Sequence, residues 1–201
     1  LLVRSRKDPD APWHFLYPMG AESSVPAEIA LKVLKEAAED HPFVVGALSR
    51  EEAIALQNTG APHLEILETR DSFDYVYQAS SLVTLKGKKL QPKRNHLNAF
   101  TKDFPDFKVV PITQDEIPAC LKMNYQWCQM MGCMYEVDLR QEACAVHKAF
   151  RGFRELGLEG LMLLADRQVI AYTLGELFNK NTWLVHVEKA FPQYRGAYQL
   201  I

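Results

Sequence analysis

No run of this 201-residue sequence is long and apolar enough to cross a bilayer. The longest, residues 43–48 and 160–165, fall far short of the roughly 20 residues that a spanning helix needs. The first residues, Leu1-Leu2-Val3-Arg4-Ser5, include no initiator methionine and lack the charged and apolar regions of a secretory signal; they read as a strand entered part-way. A large excess of either charge is also missing. With 23 Lys and Arg against 25 Asp and Glu, and a pI near 6.3, the chain is unsuited to coating nucleic acid, although a local basic site is not excluded. Cysteine is sparse. Cys120, Cys128, Cys133 and Cys144 match neither a zinc ribbon nor a CxxC redox pair, so they read as free buried thiols in a reducing cytosol. His14, His41, His63 and His147 have no ligand spacing, and no metal site is expected. What is present is 48% apolar residues, enough for a substantial core in one large domain or two small ones.

The first 85 residues read as mixed α and β. Residues 1–5 and 13–18 are apolar runs separated by Asp8-Pro9-Asp10-Ala11-Pro12, which suggests two strands and a long hairpin loop. Pro26, with Ser24 ahead as a cap, suits the first turn of a helix whose apolar stripe is Ile29, Val33, Leu34 and Ala37. Residues 43–48 follow as a buried strand. Ser49-Arg50-Glu51-Glu52 has the form of a capping box, residues 63–68 alternate as a half-exposed strand would, and residues 71–77 form an aromatic turn or short helix.

Residues 86–102 contain six Lys and Arg and no acid, and Asp103-Phe104-Pro105 closes them. Beyond Pro105 the pattern becomes regular. Residues 107–112 read as a strand, Thr113-x-x-Glu116 as a capping box opening a helix to about Met131, and Asp138 as the cap of another through Glu155, ending at Gly157. Residues 158–165, 168–177 and 182–187 are rich in Val, Ile, Leu, Thr and Trp and joined by short connections, which predicts an antiparallel meander. A glycine turn, Gln193-Tyr194-Arg195-Gly196-Ala197-Tyr198, then enters a helix. The cluster Trp127, Met130, Met131, Met134 and Tyr135 reads as core, or as packing where two halves meet.

The order from Phe107 onward resembles the first two thirds of a GNAT acyltransferase domain. In that family the glycine turn cradles a pyrophosphate on its amides; here Tyr198 stands where the family has Gly or Ala. Two longer strings carry a closer resemblance. Asp74-Tyr75-Val76-Tyr77, Leu85-Lys86-Gly87-Lys88-Lys89 and Lys93-Arg94-Asn95-His96-Leu97-Asn98 with Phe104-Pro105 form the first. His186-x-Glu188-Lys189-Ala190 followed by Arg195-Gly196-Ala197-Tyr198-Gln199 forms the second. Together they resemble the C-terminal catalytic domain of bacterial phosphatidylglycerol lysyltransferases and its stand-alone relatives. The resemblance implies an α+β fold of two incomplete GNAT-like halves, akin to the Fem-type aminoacyltransferases. Residues 1–105 would be the C-terminal part of the first half and residues 106–201 the N-terminal part of the second, so the chain reads as a fragment cut at both ends.

The implied activity is transfer of an aminoacyl group from tRNA to a lipid head group or another amine or hydroxyl acceptor. Aminoacyl-tRNA or acyl-CoA would be the donor substrate, with no permanently bound cofactor. Glu188 is the expected base or orienting group, His186 its neighbour on the same strand face, Glu176 their cross-strand partner, and Lys189 a charge balance or oxyanion contact. Lys88, Lys89, Lys93, Arg94, Asn95 and His96 are expected to meet phosphates of a tRNA acceptor end or an anionic lipid head group, joined by Arg195, Gly196 and Ala197 of the glycine turn. The plainer readings are a solvated sheet face and a solvated helix face. Two other functions stand beside this one: a coenzyme A-dependent N-acyltransferase, and a non-catalytic phosphate-ligand or RNA-binding module. The expected location is cytoplasmic, with peripheral attachment at the inner membrane face as one option.

Overall fold

The structure, a computed structural model, describes residues 1–6, 10–20, 25–39 and 41–201, with only the backbone of Ser72. Asp8, Pro9 and Ser24, named above for a hairpin loop and a cap, lie outside the described residues. The chain is α+β and divides into two compact units, Leu1–Tyr75 and Val76–Ile201. The division falls earlier than the change in composition at Pro105, and the basic segment packs in the second unit.

In the first unit, β1 (Arg4–Ser5) pairs antiparallel with β2 (Trp13–Leu16), which pairs in parallel with β3 (Phe43–Gly46). The parallel pair needs a crossover, and α1 (Ala27–Ala38) supplies it. Its buried face is Ala27, Ala30, Leu31, Leu34 and Ala38, so the stripe is rotated from the expected one and Ile29 is exposed. Alanine, weak as an apolar signal, lets a helix lie close on a sheet. Next comes α2 (Arg50–Asn58), opened by the expected capping box: Ser49 Oγ accepts from the Glu52 amide and Glu52 accepts from the Ser49 amide. Residues 63–68 form no strand; the segment finds no partner, and Leu64, Ile66 and Leu67 are exposed.

The second unit opens with α3 (Ala79–Thr84) and α4 (Gln91–Asp103). Then follow β4 (Lys108–Pro111), α5 (Ile117–Met131), α6 (Val137–Arg151), β5 (Glu159–Ala165), β6 (Gln168–Asn179), β7 (Thr182–Ala190) and α7 (Ala197–Leu200). The strands form one antiparallel sheet in the order β4-β5-β6-β7, as the short connections predicted. Glu116 grips Thr113, but as a turn before the helix, so α5 starts at Ile117 with Pro118 in its first turn. α6 stops at Arg151, before the expected Gly157.

Phe100, Met123, Phe150, Leu163, Ile170, Tyr172 and Leu174 form the centre of this unit's core. Tyr172 packs on Phe150 of α6 and donates its hydroxyl to Asn124 Oδ1 of α5 at 2.8 Å. Side chains alternate along a strand, so Tyr172, Leu174 and Glu176 face α5 and α6 while Ala171, Thr173, Gly175 and Leu177 face the other way. Tyr172→Phe strands a buried amide and should cost about 1–3 kcal/mol in a denaturant titration. Of the expected Met and aromatic cluster only Trp127 is core. Met130, Met131, Met134 and Tyr135 are exposed, because α5 ends in the left-handed turn at Gly132 just as they emerge. Among the four unpaired cysteines, Cys120 and Cys133 are buried, Cys128 is half-buried and Cys144 is exposed. Burial pushes the Cys120 and Cys128 thiols up to about 12, so neither forms a thiolate at neutral pH.

Candidate active site

β7 should present His186 and Glu188 on one face if it alternated without interruption. It does not. Thr173 pairs with Glu188 and Leu174 with Val187, but Gly175 pairs with Val185, leaving His186 as the extra residue of a bulge. A bulge re-aims the side chains on either side of it. Glu188 shares the outward face with Thr173, whereas His186 turns to the other face and bonds Glu176 Oε1 through Nε2 at 2.7 Å, with both side chains part-exposed. The expected cross-strand contact of Glu176 is therefore present, but with His186 alone.

Lys189 lies on the α5 and α6 side as well. It is 5% exposed, donates to Glu142 of α6 at 2.8 Å and sits 3.7 Å over the Trp127 ring, whose indole N–H donates to the Ala190 carbonyl. An ammonium so placed holds two helices to a strand. Glu142→Gln leaves that buried cation with a neutral partner, and thermal unfolding should report a loss of about 2 kcal/mol.

The outward face carries a different group. α4 packs against α7 and the turn before it and carries Lys93 toward Glu188. Lys93, His96, Phe100 and Phe104 recur on one side of the helix at steps of three and four. Phe104 packs on Tyr194, and His96 Nδ1 accepts from Arg195 Nε at 3.1 Å. Lys93 lies near enough to Glu188 to stabilise its carboxylate. Loss of solvation around the carboxyl is the larger effect, and Glu188 sits above its ordinary pKa even though part of the side chain reaches water. His96, accepting at Nδ1, carries its proton on Nε2, which is left to donate.

Arg94 and Asn95 are committed locally. The Arg94 guanidinium binds the carbonyls of Leu85 and Gly87 and the Gln91 side chain, while Asn95 accepts from Gln91 Nε2. Leu85 and Gly87 both have positive φ, and Arg94 pins this unusual backbone in place. The directional bonding expected of Arg94 is there, but it is made to the chain itself. Lys88 and Lys89 are exposed beside it, ahead of α4.

The glycine turn is closed. Gly196 and Ala197 are buried, the Ala197 amide donates to the Tyr194 carbonyl, and a Cβ on Gly196 would lie 2.3 Å from the His96 carbonyl oxygen and 2.9 Å from Phe100 Cβ. α4 therefore packs directly on Gly196. A separate cleft of about 600 Å³ lies between residues 103–108 and the β5–β6 turn. Its rim sets Asp103, Asp106 and Asp166 against Lys108 and Arg167 and so presents no single charge. Among the described residues no cluster could hold a metal ion, and no helix is long and apolar enough to cross a membrane.

With this geometry the chain can be set beside known proteins. The family described as phosphatidylglycerol lysyltransferase, C-terminal, matches residues 1–201. The chain belongs to that family. A crystal structure of a conserved protein of unknown function from Bacteroides thetaiotaomicron VPI-5482 is similar over 100% of this chain and 67% of that one, with 33% identity and a TM-score of 0.85. An uncharacterized protein, MYCGA3080, from Mycoplasmoides gallisepticum is 26% identical over 132 residues, which is 65% of this chain and 42% of that protein. The chain thus spans less than half of that curated relative.

Parts of the two strings read in the sequence meet in the second unit: Lys93 and His96 come from the first, Glu188, Arg195 and Gly196 from the second. Sequence reasoning missed the bulge, and with it the separation of Glu188 from His186. Gly175 in a strand interior was the available signal, since such a glycine marks a bulge or a close approach. Glu142 and Asn124, which hold the opposite face together, carry no local signature.

Proposed function

We propose that the second unit transfers an aminoacyl group from an aminoacyl-tRNA ester to an amine or hydroxyl acceptor, with a lipid head group as the acceptor class suggested by the family's description. The observation that supports this most is the pairing of Glu188 on β7 with Lys93 on α4, the helix whose next turn carries His96 bonded to Arg195. The donor ester is already activated, so the protein must position the acceptor, take its proton and hold the tetrahedral oxyanion. Glu188, whose raised pKa makes it a better base than an ordinary glutamate, takes the proton as the acceptor N or O bonds to the acyl carbon. The oxyanion faces Lys93 and the Nε2–H of His96. As the ester C–O bond breaks, the proton held by Glu188 passes to the departing ribose oxygen.

Coenzyme A suits this site poorly. Gly196 and Ala197 of the turn that would cradle its pyrophosphate are buried, α4 packs on Gly196, and the Ala197 amide is already bonded. The test is to incubate the protein with individually charged tRNAs and with amine, hydroxyl and anionic-lipid acceptors, following loss of the ester and label in the acceptor. Turnover with at least one pairing, and none with acetyl-CoA, is expected. Ester loss no faster than spontaneous hydrolysis with every charged tRNA would reject the proposal.

A further inference from the structure

The bulge at His186 has a second effect on the outward face of the sheet. Val185 pairs with Gly175 and Trp183 with Leu177, so Trp183, Val185 and Leu177 share that face with Thr173 and Glu188. All three apolar side chains stand in solvent, at 46%, 50% and 64% exposure. The indole lies across Gly175: a Cβ there would fall 2.5 Å from Trp183 Nε1 and 3.0 Å from its Cε2. Gly175 thus lets the ring lie low over the strand as a platform.

We infer that the Trp183 indole, flanked by Val185 and Leu177, stacks the terminal base of the donor RNA; this rests on the aminoacyl-transfer reading above. Three observations favour a single-stranded RNA end as the occupant. The first is distance. Gly175, under the indole, is two residues along β6 from Thr173, which faces Glu188, a separation of about 7 Å along the strand. That is the scale of one nucleoside, so a base on the indole brings its ribose ester to the carboxyl. The second is charge. α4 starts with Lys93 toward Glu188 and runs on to the turn that follows β7, with His96 at Arg195 and Phe104 at Tyr194, so the exposed Lys88 and Lys89 that precede it lie at the end away from that turn, on the platform's side of the site. Backbone phosphates would meet them there. The third is chemistry: an aromatic face beside a basic edge is the combination that binds single strands irrespective of base identity.

The experiment uses an uncharged single-stranded RNA ending in CCA and the same RNA with an abasic 3′ residue, each carrying a 5′ fluorophore and titrated with the full chain by fluorescence anisotropy. The intact RNA should bind about tenfold more tightly than the abasic one, and Trp183→Ala should remove that preference. Trp183→Phe, which keeps an aromatic face, should retain most of it, and Trp183→Leu, which keeps apolar bulk, should not. Equal affinity for the two RNAs, discrimination that survives Trp183→Ala and Trp183→Leu, or co-sedimentation with anionic vesicles without binding to either RNA would each overturn the inference. Such a failure alongside intact transfer from charged tRNA would remove the platform alone; absent transfer with every charged tRNA would remove the underlying reading.

Discussion

Glu188→Gln should slow acyl transfer about a hundred- to ten-thousand-fold, the range expected for losing a positioned general base, without unfolding the protein. The stability side follows from sign. Desolvation raises the folded-state pKa of Glu188 above its unfolded value. The folded state therefore binds more protons between those two values, and stability falls as pH rises through that window. Glutamine has no such penalty, so the variant should match or exceed the parent's thermal stability above the raised pKa, with the difference vanishing toward acid. A variant that lost both activity and its melting transition would point to a structural role for Glu188.

Gly196→Ala should be the most damaging single change in the second unit. Gly196 has φ +97°, where an L side chain is strained, and the added Cβ would collide with the His96 carbonyl and Phe100. Neither the backbone of α4 nor its buried phenylalanine can yield cheaply. A cost of about 3 kcal/mol or more is expected from overpacking and left-handed strain together. Because α4 carries Lys93 and His96, the same substitution should reduce transfer even at temperatures where the chain stays folded. Denaturant melts with activity measured in parallel would show both effects. A stable and fully active Gly196→Ala would mean that α4 does not rest on the turn.

The meander, the Ser49 cap and the two helices after β4 were legible because each rests on a local signal: alternation between turns, an S-x-x-E box, or a helix cap ahead of an apolar run. Residues 63–68 alternate as well, yet form no strand, because a strand exists only where a partner offers its backbone. The stripe of α1 was misplaced because Ala27, Ala30 and Ala38 bury little area but permit close approach. The site was half legible. Both strings were visible, and so were their charged residues, but strand parity predicted Glu188 with His186, and the bulge instead turned Glu188 toward Lys93 and His186 toward Glu176. Arg94 is a similar case: its type was informative, and only the fold shows that its partners are Leu85 and Gly87.

If Glu188, tuned by Lys93, is the base of an acyl-transfer site, the single-turnover transfer rate follows its ionisation, and the pH dependence of that rate is the decisive measurement. The parent protein should show a rate that rises with pH through a midpoint above the ordinary glutamate value. Lys93→Met, by removing the cation that opposes desolvation, should move that midpoint higher still. A rate with no ionisation in the acid range, or a midpoint that Lys93→Met leaves in place or lowers, would contradict the account.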